Sequence, residues 1–314
     1  MKNARKLTEG AILLAAFAVL LLLTIYVPVI GIIINFVLPL PFLIFAAKNN
    51  IKYVGAFLVA GLFISFIAGS FMGIAMLFVY GLTGTVMGYL LQKNRSRIAL
   101  LVSSSLTFLA AVIILYVVSV IFFKFNLIHE LTVAFKESAA MSQNMLQSLG
   151  KEDQIAKLTE QNNNMIKMVS TLAPSALIMS SILSVYIIQL ICFPLARRFG
   201  VNAQQWGHFK DLSLPRSLLW YYLIAMAANM LIHPQEGTYL YLALMNLVYI
   251  LEMFMVLQGL SFLFYIFHQK SVTKGLRVII TILAIVIPIF LYIIRILGII
   301  DLGFDLRKRV GKKE

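Results

Sequence analysis

The chain has 314 residues, of which 61% are hydrophobic and only 12% are charged, and its mean hydropathy is +0.94. A soluble domain of this composition could not cover its apolar surface, so the sequence indicates a polytopic membrane protein. Apolar runs of about twenty residues favour spanning helices over a β-barrel. The net charge of +14 lies mostly in short connections between these runs. It therefore points to topology signals and lipid headgroups rather than to nucleic acid.

Nine apolar segments are predicted to span the membrane, six before a polar stretch that begins near Gly200 and three after it. They are residues 7–27, 29–47, 53–70, 71–91, 98–123, 171–195, 214–232, 239–267 and 278–297. Pro28, Pro39 and Pro41 make the second segment a discontinuous or tilted span. The first run is longer than the apolar part of a secretory signal, so we expect a retained helix.

These segments predict an all-α fold, a transmembrane helical bundle. We expect a six-helix membrane domain at 1–200, a three-helix membrane domain at 201–300 and a basic tail at 301–314. Within the first domain, residues 125–170 are predicted to form an extracytoplasmic helical hairpin around Gly150, because apolar residues recur there near helical spacing. They are Leu131, Phe135, Ala139, Leu146, Leu149, Ile155, Leu158, Met165 and Val169. The hairpin is either a solvated spacer or a lid or partner-docking surface.

Lys and Arg flank alternate connections, which predicts a cytoplasmic N-terminus. Nine spans that start from a cytoplasmic N-terminus place the tail outside, although the tail contains basic residues, which the positive-inside rule disfavours on that side. They are Arg307, Lys308, Arg309, Lys312 and Lys313. Either one apolar segment is re-entrant or the tail is an exception.

Glycines mark the fourth segment. Gly84 and Gly88 form a Gly-x-x-x-Gly pair, Gly69 and Gly73 form another across a predicted break at Ser70, and Gly81 lies between them. Such spacing lets helix backbones approach closely in lipid. Tight intramolecular packing is the simpler interpretation, and space for a ligand or a moving partner helix is the alternative.

Glu252 lies near the middle of an apolar segment, where a carboxylate is costly and usually has a reason. It is a candidate functional acid that exchanges a proton or an ion. As a structural group it would instead be hydrogen-bonded to a polar residue within an apolar segment. The candidates are Gln189, Asn229, Asn246 and Gln258. Arg295 either extends to the interface or binds Glu252 or an anionic ligand.

Several kinds of chemistry lack a signature in this sequence. Cys192 is the only cysteine, so neither an internal disulfide nor a thiolate metal cluster is predicted. The four histidines show no ligand spacing, and neither a P-loop nor the usual membrane hydrolase motifs occur. We therefore expect no enzyme activity, no metal and no cofactor.

The chain resembles the YybS-like family of bacterial membrane proteins over essentially its whole length. The resemblance rests on 7–11 (LTEGA), 38–41 (LPLP), the glycine-rich fourth segment, 297–298 (LG) and 305–307 (DLR). It supplies no mechanism. Genes of this family are often neighbours of a membrane-bound cyclic-dinucleotide phosphodiesterase, which implies that this enzyme is a partner.

The first six segments are also similar to the substrate-binding S-components of energy-coupling-factor vitamin transporters. Ala11 and Ala15 have the spacing of the small-residue face with which an S-component docks a coupling protein. The leading hypothesis is therefore a small-molecule-binding or transport component that relies on a partner ATPase or an ion gradient. The alternatives are a membrane scaffold or sensor that docks a signalling enzyme, and an ion-coupled transporter working alone.

Overall fold

The computed structural model describes residues 2–148, 153–204 and 206–310, and over these residues it contains helices and no strands. The helices are α1 (Lys2–Tyr26), α2 (Pro28–Ile34), α3 (Leu40–Lys48), α4 (Ile51–Met76), α5 (Leu82–Gln92), α6 (Arg97–Phe123), α7 (Leu127–Ser148), α8 (Asp153–Arg198), α9 (Ser217–Ile232), α10 (Tyr239–Gln269), α11 (Lys274–Val286), α12 (Pro288–Phe304) and α13 (Leu306–Val310). A π-helical turn, Leu77–Gly81, joins α4 to α5, and a 3-10 turn, Phe209–Asp211, precedes α9. The predicted all-α class is confirmed.

The chain forms two compact units. One contains residues 1–134 and 180–206, and the other contains residues 135–179 and 207–314. The three domains predicted from the sequence stay a prediction. Gly150, Lys312 and Lys313 lie outside the described residues.

In the first unit the proline-containing second segment forms two short helices, α2 and α3, of seven and nine residues. A Cβ on Gly31 would lie 2.4 Å from the carbonyl oxygen of Thr24, so only glycine lets α2 turn back this closely along α1. Lys48 Nζ at the end of α3 lies 2.7 Å from Glu9 Oε1 near the start of α1. The chain has therefore returned along α1 to near its start, and the discontinuous span predicted for this segment stays a prediction.

The predicted break at Ser70 is confirmed, because this residue has a φ of 50° and a ψ of −138° inside the helical run of α4. A Cβ on Gly73 would lie 2.2 Å from the Ser65 carbonyl oxygen. In a continuous helix these residues would be about 12 Å apart along the axis. A Cβ on Gly61 would likewise lie 3.3 Å from the Leu77 side chain. The run therefore folds back on itself as an antiparallel helical hairpin.

Glycines place α3 directly against α5. A Cβ on Gly84 would lie 2.3 Å from the Pro39 carbonyl oxygen, and one on Gly88 would lie 2.3 Å from the carbonyl oxygen of Leu43. The contact positions rise together along both helices, so α3 and α5 run parallel. The Gly-x-x-x-Gly pair thus serves close intramolecular packing. Gly69 faces the Ile25 side chain and Gly81 faces that of Leu77.

Aromatic rings fill the core of the first unit next to this glycine contact. Phe42 of α3 meets Phe17 of α1 and Phe57 of α4 edge to face, with ring centroids 4.8 Å and 5.2 Å apart. Phe45 stacks on Phe57 at 4.1 Å. Such pairs add to the burial energy and fix ring orientation. The middle of this unit is therefore a packed core among the described side chains.

Five helical runs are long and apolar enough to cross a membrane, and six if α11 and α12 together count as one. One of the five, Ile51–Gln92, has 42 residues and contains the hairpin bend at Ser70. Several membrane passes are thus supported, and the total of nine stays a prediction. The expected hairpin helices are present as α7 and the first part of α8, where Gln143 Nε2 donates to Thr159 Oγ1 at 2.8 Å.

Candidate functional site

The candidate site lies in the second unit, where α10 and α12 come into backbone contact. A Cβ on Gly259 would lie 1.9 Å from the Ile294 carbonyl oxygen, and one on Gly298 would lie 2.0 Å from that of Met255. No side chain larger than hydrogen fits at either glycine without a shift of the helices. Polar side chains of both helices lie before and after this glycine contact along the helix axes. The contact therefore fixes how those side chains meet.

On one side of the glycine contact, Glu252 of α10 forms an ion pair with Arg295 of α12. The two side chains are only 29% and 19% exposed, respectively. The Arg295 guanidinium also lies over the Tyr292 ring, 4.6 Å from its centroid, a cation–π arrangement. The intramembrane acid therefore has a cationic partner, and pairing with Glu252 is one of the roles that the sequence left open for Arg295.

On the other side lies a second acid, Asp301, which is only 3% exposed. Its Oδ2 accepts hydrogen bonds from Gln258 Nε2 at 2.6 Å and from Arg307 Nε at 3.0 Å. Charge-assisted bonds of this kind compensate for the desolvation of a buried carboxylate. Asp301 and Arg307 are functional-site candidates that sequence reasoning missed, because both lie beyond the last predicted span, where charged residues normally meet water.

The same cluster holds the connection before α9. Leu214 N–H donates to Gln258 Oε1 at 2.9 Å, and Arg307 Nη1 donates to the Lys210 carbonyl oxygen at 2.8 Å. The Ser261 hydroxyl lies 2.7 Å from the carbonyl oxygens of both Phe209 and Leu212 and accepts from Arg307 Nη2 at 3.0 Å. We call Gln258, Ser261, Asp301 and Arg307 the Asp301 cluster. It ties residues 209–214, α10, α12 and the start of the tail together.

The other predicted partners of Glu252 are engaged elsewhere or bond to no described carboxylate. Gln189 Oε1 accepts from Trp206 Nε1 at 3.0 Å in the first unit. Asn246 bonds to the backbone of Thr171 and Ser175 within the second unit. Asn229 is half-buried on α9. Of the five candidates, it is Arg295 that the fold brings to Glu252.

Ala11 and Ala15, the predicted partner-docking face, are exposed on α1. Their neighbours Gly10 and Leu13 face the core. Residues that contact lipid and residues that dock a partner are both exposed. The docking role of Ala11 and Ala15 therefore stays a prediction. Among the described residues no three His, Cys, Asp or Glu side chains are grouped closely enough to hold a metal ion.

An open cavity of about 630 Å³ lies along α8, with Lys136 of α7 at its edge. Most of its exposed wall is apolar, including the aliphatic parts of long side chains, and charged groups of both signs and amides lie around it. It is lined by Lys136, Ala156, Thr159, Glu160, Asn163, Asn164, Ile166 and Lys167. Lys167 Nζ also lies 3.0 Å from Glu236 Oε2. The hairpin that the sequence predicted therefore contains a concave surface, and not only a contact between two helices.

Apolar helices of membrane-spanning length, helix contacts through glycine and charged side chains paired within the apolar runs define a polytopic helical membrane protein. The chain belongs to the DUF2232 family of predicted membrane proteins, whose family model matches residues 15–302. It is 33% identical over 313 residues to the uncharacterised protein YybS of Bacillus subtilis (strain 168), covering 99% of this chain and 100% of that protein. The predicted YybS-like membership is confirmed.

No solved structure matches the chain significantly. The resemblance of the first six segments to S-components therefore stays a prediction.

Proposed function

We propose that this protein is the small-molecule-binding component of a membrane complex in the bacterial inner membrane, with its N-terminus in the cytoplasm and the α7–α8 hairpin outside. It is not an enzyme. The observation that supports this proposal is the open cavity on the hairpin, whose volume of about 630 Å³ is similar to the roughly 300–1,000 Å³ of small-molecule sites.

The side chains around this cavity favour a small ligand that carries both a negative and a positive charge. Lys136 supplies a cationic donor, as does Lys167, which also pairs with Glu236. Asn163 and Asn164 supply amide groups that both donate and accept. Glu160 adds one anionic acceptor, which suits a zwitterion such as an amino-acid-like molecule. A six-helix S-component-like half and an outer ligand site would suit uptake of such a molecule.

Transport by this component requires an energy source from elsewhere, because the sequence has no P-loop. A coupling protein with its ATPase subunits would dock at the exposed Ala11 and Ala15 on α1. An ion gradient acting through Glu252 is the other source, but a carboxylate held by Arg295 must first leave its partner to exchange a proton. If an ion gradient drives uptake, Glu252→Gln should abolish the pH dependence of uptake in proteoliposomes. An unchanged pH profile of uptake would exclude the gradient as the energy source.

A cavity-filling variant tests the proposal. Asn163 and Gln161 are both exposed on α8, but only Asn163 lines the cavity. We would purify wild type, Asn163→Trp and Gln161→Trp from native membranes in mild detergent and identify retained small molecules by mass spectrometry. The proposal predicts a polar metabolite that wild type and Gln161→Trp retain and Asn163→Trp loses. Equal retention by both variants, or none by the wild type, would contradict it.

The ordered connection at 209–214 favours a second function, a membrane scaffold or sensor that docks a signalling enzyme such as a cyclic-dinucleotide phosphodiesterase. Gln258, Ser261 and Arg307 of the Asp301 cluster bond directly to this connection. They order its backbone, as a docking surface needs. A photo-crosslinking residue at exposed Ser213 should then capture that enzyme, while one at exposed Ser138 of the hairpin should not. Absence of a Ser213 cross-link in cells that contain the enzyme would exclude this role.

A further inference from the structure

We propose that α11 and α12 form a re-entrant pair, which enters and leaves the membrane on the same side. The C-terminal tail then lies on the membrane face that carries the end of α10 and the connection 209–216. One surface is thus built from three stretches of chain that are far apart in sequence. This inference does not depend on the proposed ligand or partner.

The direction of α12 carries the argument. Arg295 bonds to Glu252, and Asp301 bonds to Gln258. In both pairs the two residues are 43 positions apart in sequence. A constant offset means that residue numbers rise in the same direction along both helices, so α10 and α12 are parallel. Two helices that run the same way through a membrane end on the same side.

Contacts at the ends of the helices give the same result. Tyr265, in the last part of α10, donates its hydroxyl to the Arg307 carbonyl oxygen at 3.3 Å. Arg216, just before α9, forms an ion pair with Asp305 at the end of α12. The Arg307 side chain reaches the Lys210 carbonyl oxygen. The start of the tail, the connection before α9 and the end of α10 therefore meet at one level.

The length of α11 explains how the chain returns. α11 has 13 residues, about 20 Å of helix, whereas the hydrocarbon core is about 30 Å thick. Pro288 begins α12 after a break at Ile287, and the chain direction changes by 103° there. A segment this short, set at little more than a right angle to α12, carries the chain only part of the way across before α12 runs toward the side where α10 ends. The apex at 286–289 then lies within the bilayer.

This arrangement accounts for the charge of the tail. Arg307, Lys308 and Arg309 lie on the same side as Lys270 and Lys274, which follow α10. A re-entrant pair therefore removes the conflict with the positive-inside rule that nine full spans create. The sequence left open a re-entrant segment or an exceptional tail, and the geometry points to the re-entrant segment.

Single-cysteine labelling tests the inference in the full-length protein in its native membrane. Cys192, the only native cysteine, is fully buried and can be replaced by serine. In that background we would introduce Lys308→Cys in the tail, Ser213→Cys in the connection and Ser138→Cys in the hairpin, at positions that are all exposed. A membrane-impermeant maleimide is then applied to intact cells and to opened membranes.

The expected result is that Lys308→Cys and Ser213→Cys react only in opened membranes, while Ser138→Cys reacts in intact cells. Ile289→Cys, at the apex, where the native side chain is 61% exposed within the fold, should react in neither sample until the protein is denatured. Labelling of Lys308→Cys but not of Ser213→Cys in intact cells would overturn the shared side. Labelling of Ile289→Cys in intact cells would overturn the re-entrant apex.

Discussion

Gly298 of α12 lies against the backbone of Met255 in α10, and a Cβ at this glycine would be 2.0 Å from the Met255 carbonyl oxygen. Gly298→Ala should therefore push the helices apart and lower the free energy of unfolding by about 1–3 kcal/mol, the usual cost of overpacking. Gly55→Ala is the matched control, because a Cβ on this helical glycine meets nothing within 4 Å. Thermal unfolding in detergent measures both, and equal midpoints would refute the close contact.

The Glu252–Arg295 pair should couple the stabilities of the two helices. Glu252→Gln leaves a partly buried guanidinium without its carboxylate, and we expect a loss of about 1.5–3 kcal/mol, as for a hydrogen bond between charged groups. Exchanging the charges in a Glu252→Arg, Arg295→Glu double variant should restore part of this loss. A double variant no more stable than the weaker single variant would argue against the pair.

Asp301 should be far less tolerant of change than Asp305, four residues later. Asp301→Asn leaves Arg307 without an anionic partner in a buried cluster, a change that typically costs about 3–5 kcal/mol. Asp305 forms ion pairs with Arg216 and Lys308, but its side chain is 37% exposed, so Asp305→Asn should cost about 0–1 kcal/mol. The difference in thermal midpoint between the two variants is the measurement. Similar midpoints would contradict the burial of Asp301.

Ser261→Ala should loosen the connection before α9. The variant loses the hydroxyl between the Phe209 and Leu212 carbonyl oxygens, so we expect faster trypsin cleavage after Lys210 and Arg216. Ser213→Ala, at an exposed position in the same connection, should leave the cleavage rate unchanged. Equal rates in both variants would show that the Asp301 cluster does not hold this connection.

Features that depend on neighbouring residues could be predicted from the sequence. The three prolines of the second segment and Ser70 between two apolar runs predicted the interruptions that the structure contains, because proline removes a backbone donor and two span-length runs in series need a reversal. The Gly-x-x-x-Gly spacing also predicted a close helix contact. It could not predict that α3 would be the helix packed against Gly84 and Gly88.

Features that depend on distant residues were beyond the sequence. Asp301 lies just past an apolar run, and hydropathy alone places such an acid in water. Asp301 is buried because α10 and α12 pack together, which brings Gln258 of α10 and Arg307 of α13 into hydrogen-bond contact with its carboxylate. The direction of α12 could not be predicted either, because a hydropathy profile is the same for a helix that runs toward either side of the membrane.

The π-helical turn Leu77–Gly81 has a consequence for length variation among related chains. A π-turn accommodates one residue more than an α-turn, so loss of one residue there would leave a regular helix with its downstream faces unchanged. Loss of one residue just after the turn would rotate Gly84 and Gly88 by about 100°, away from Pro39 and Leu43. Single-residue gaps in homologues should therefore concentrate at 77–81, and α5 should keep a constant length.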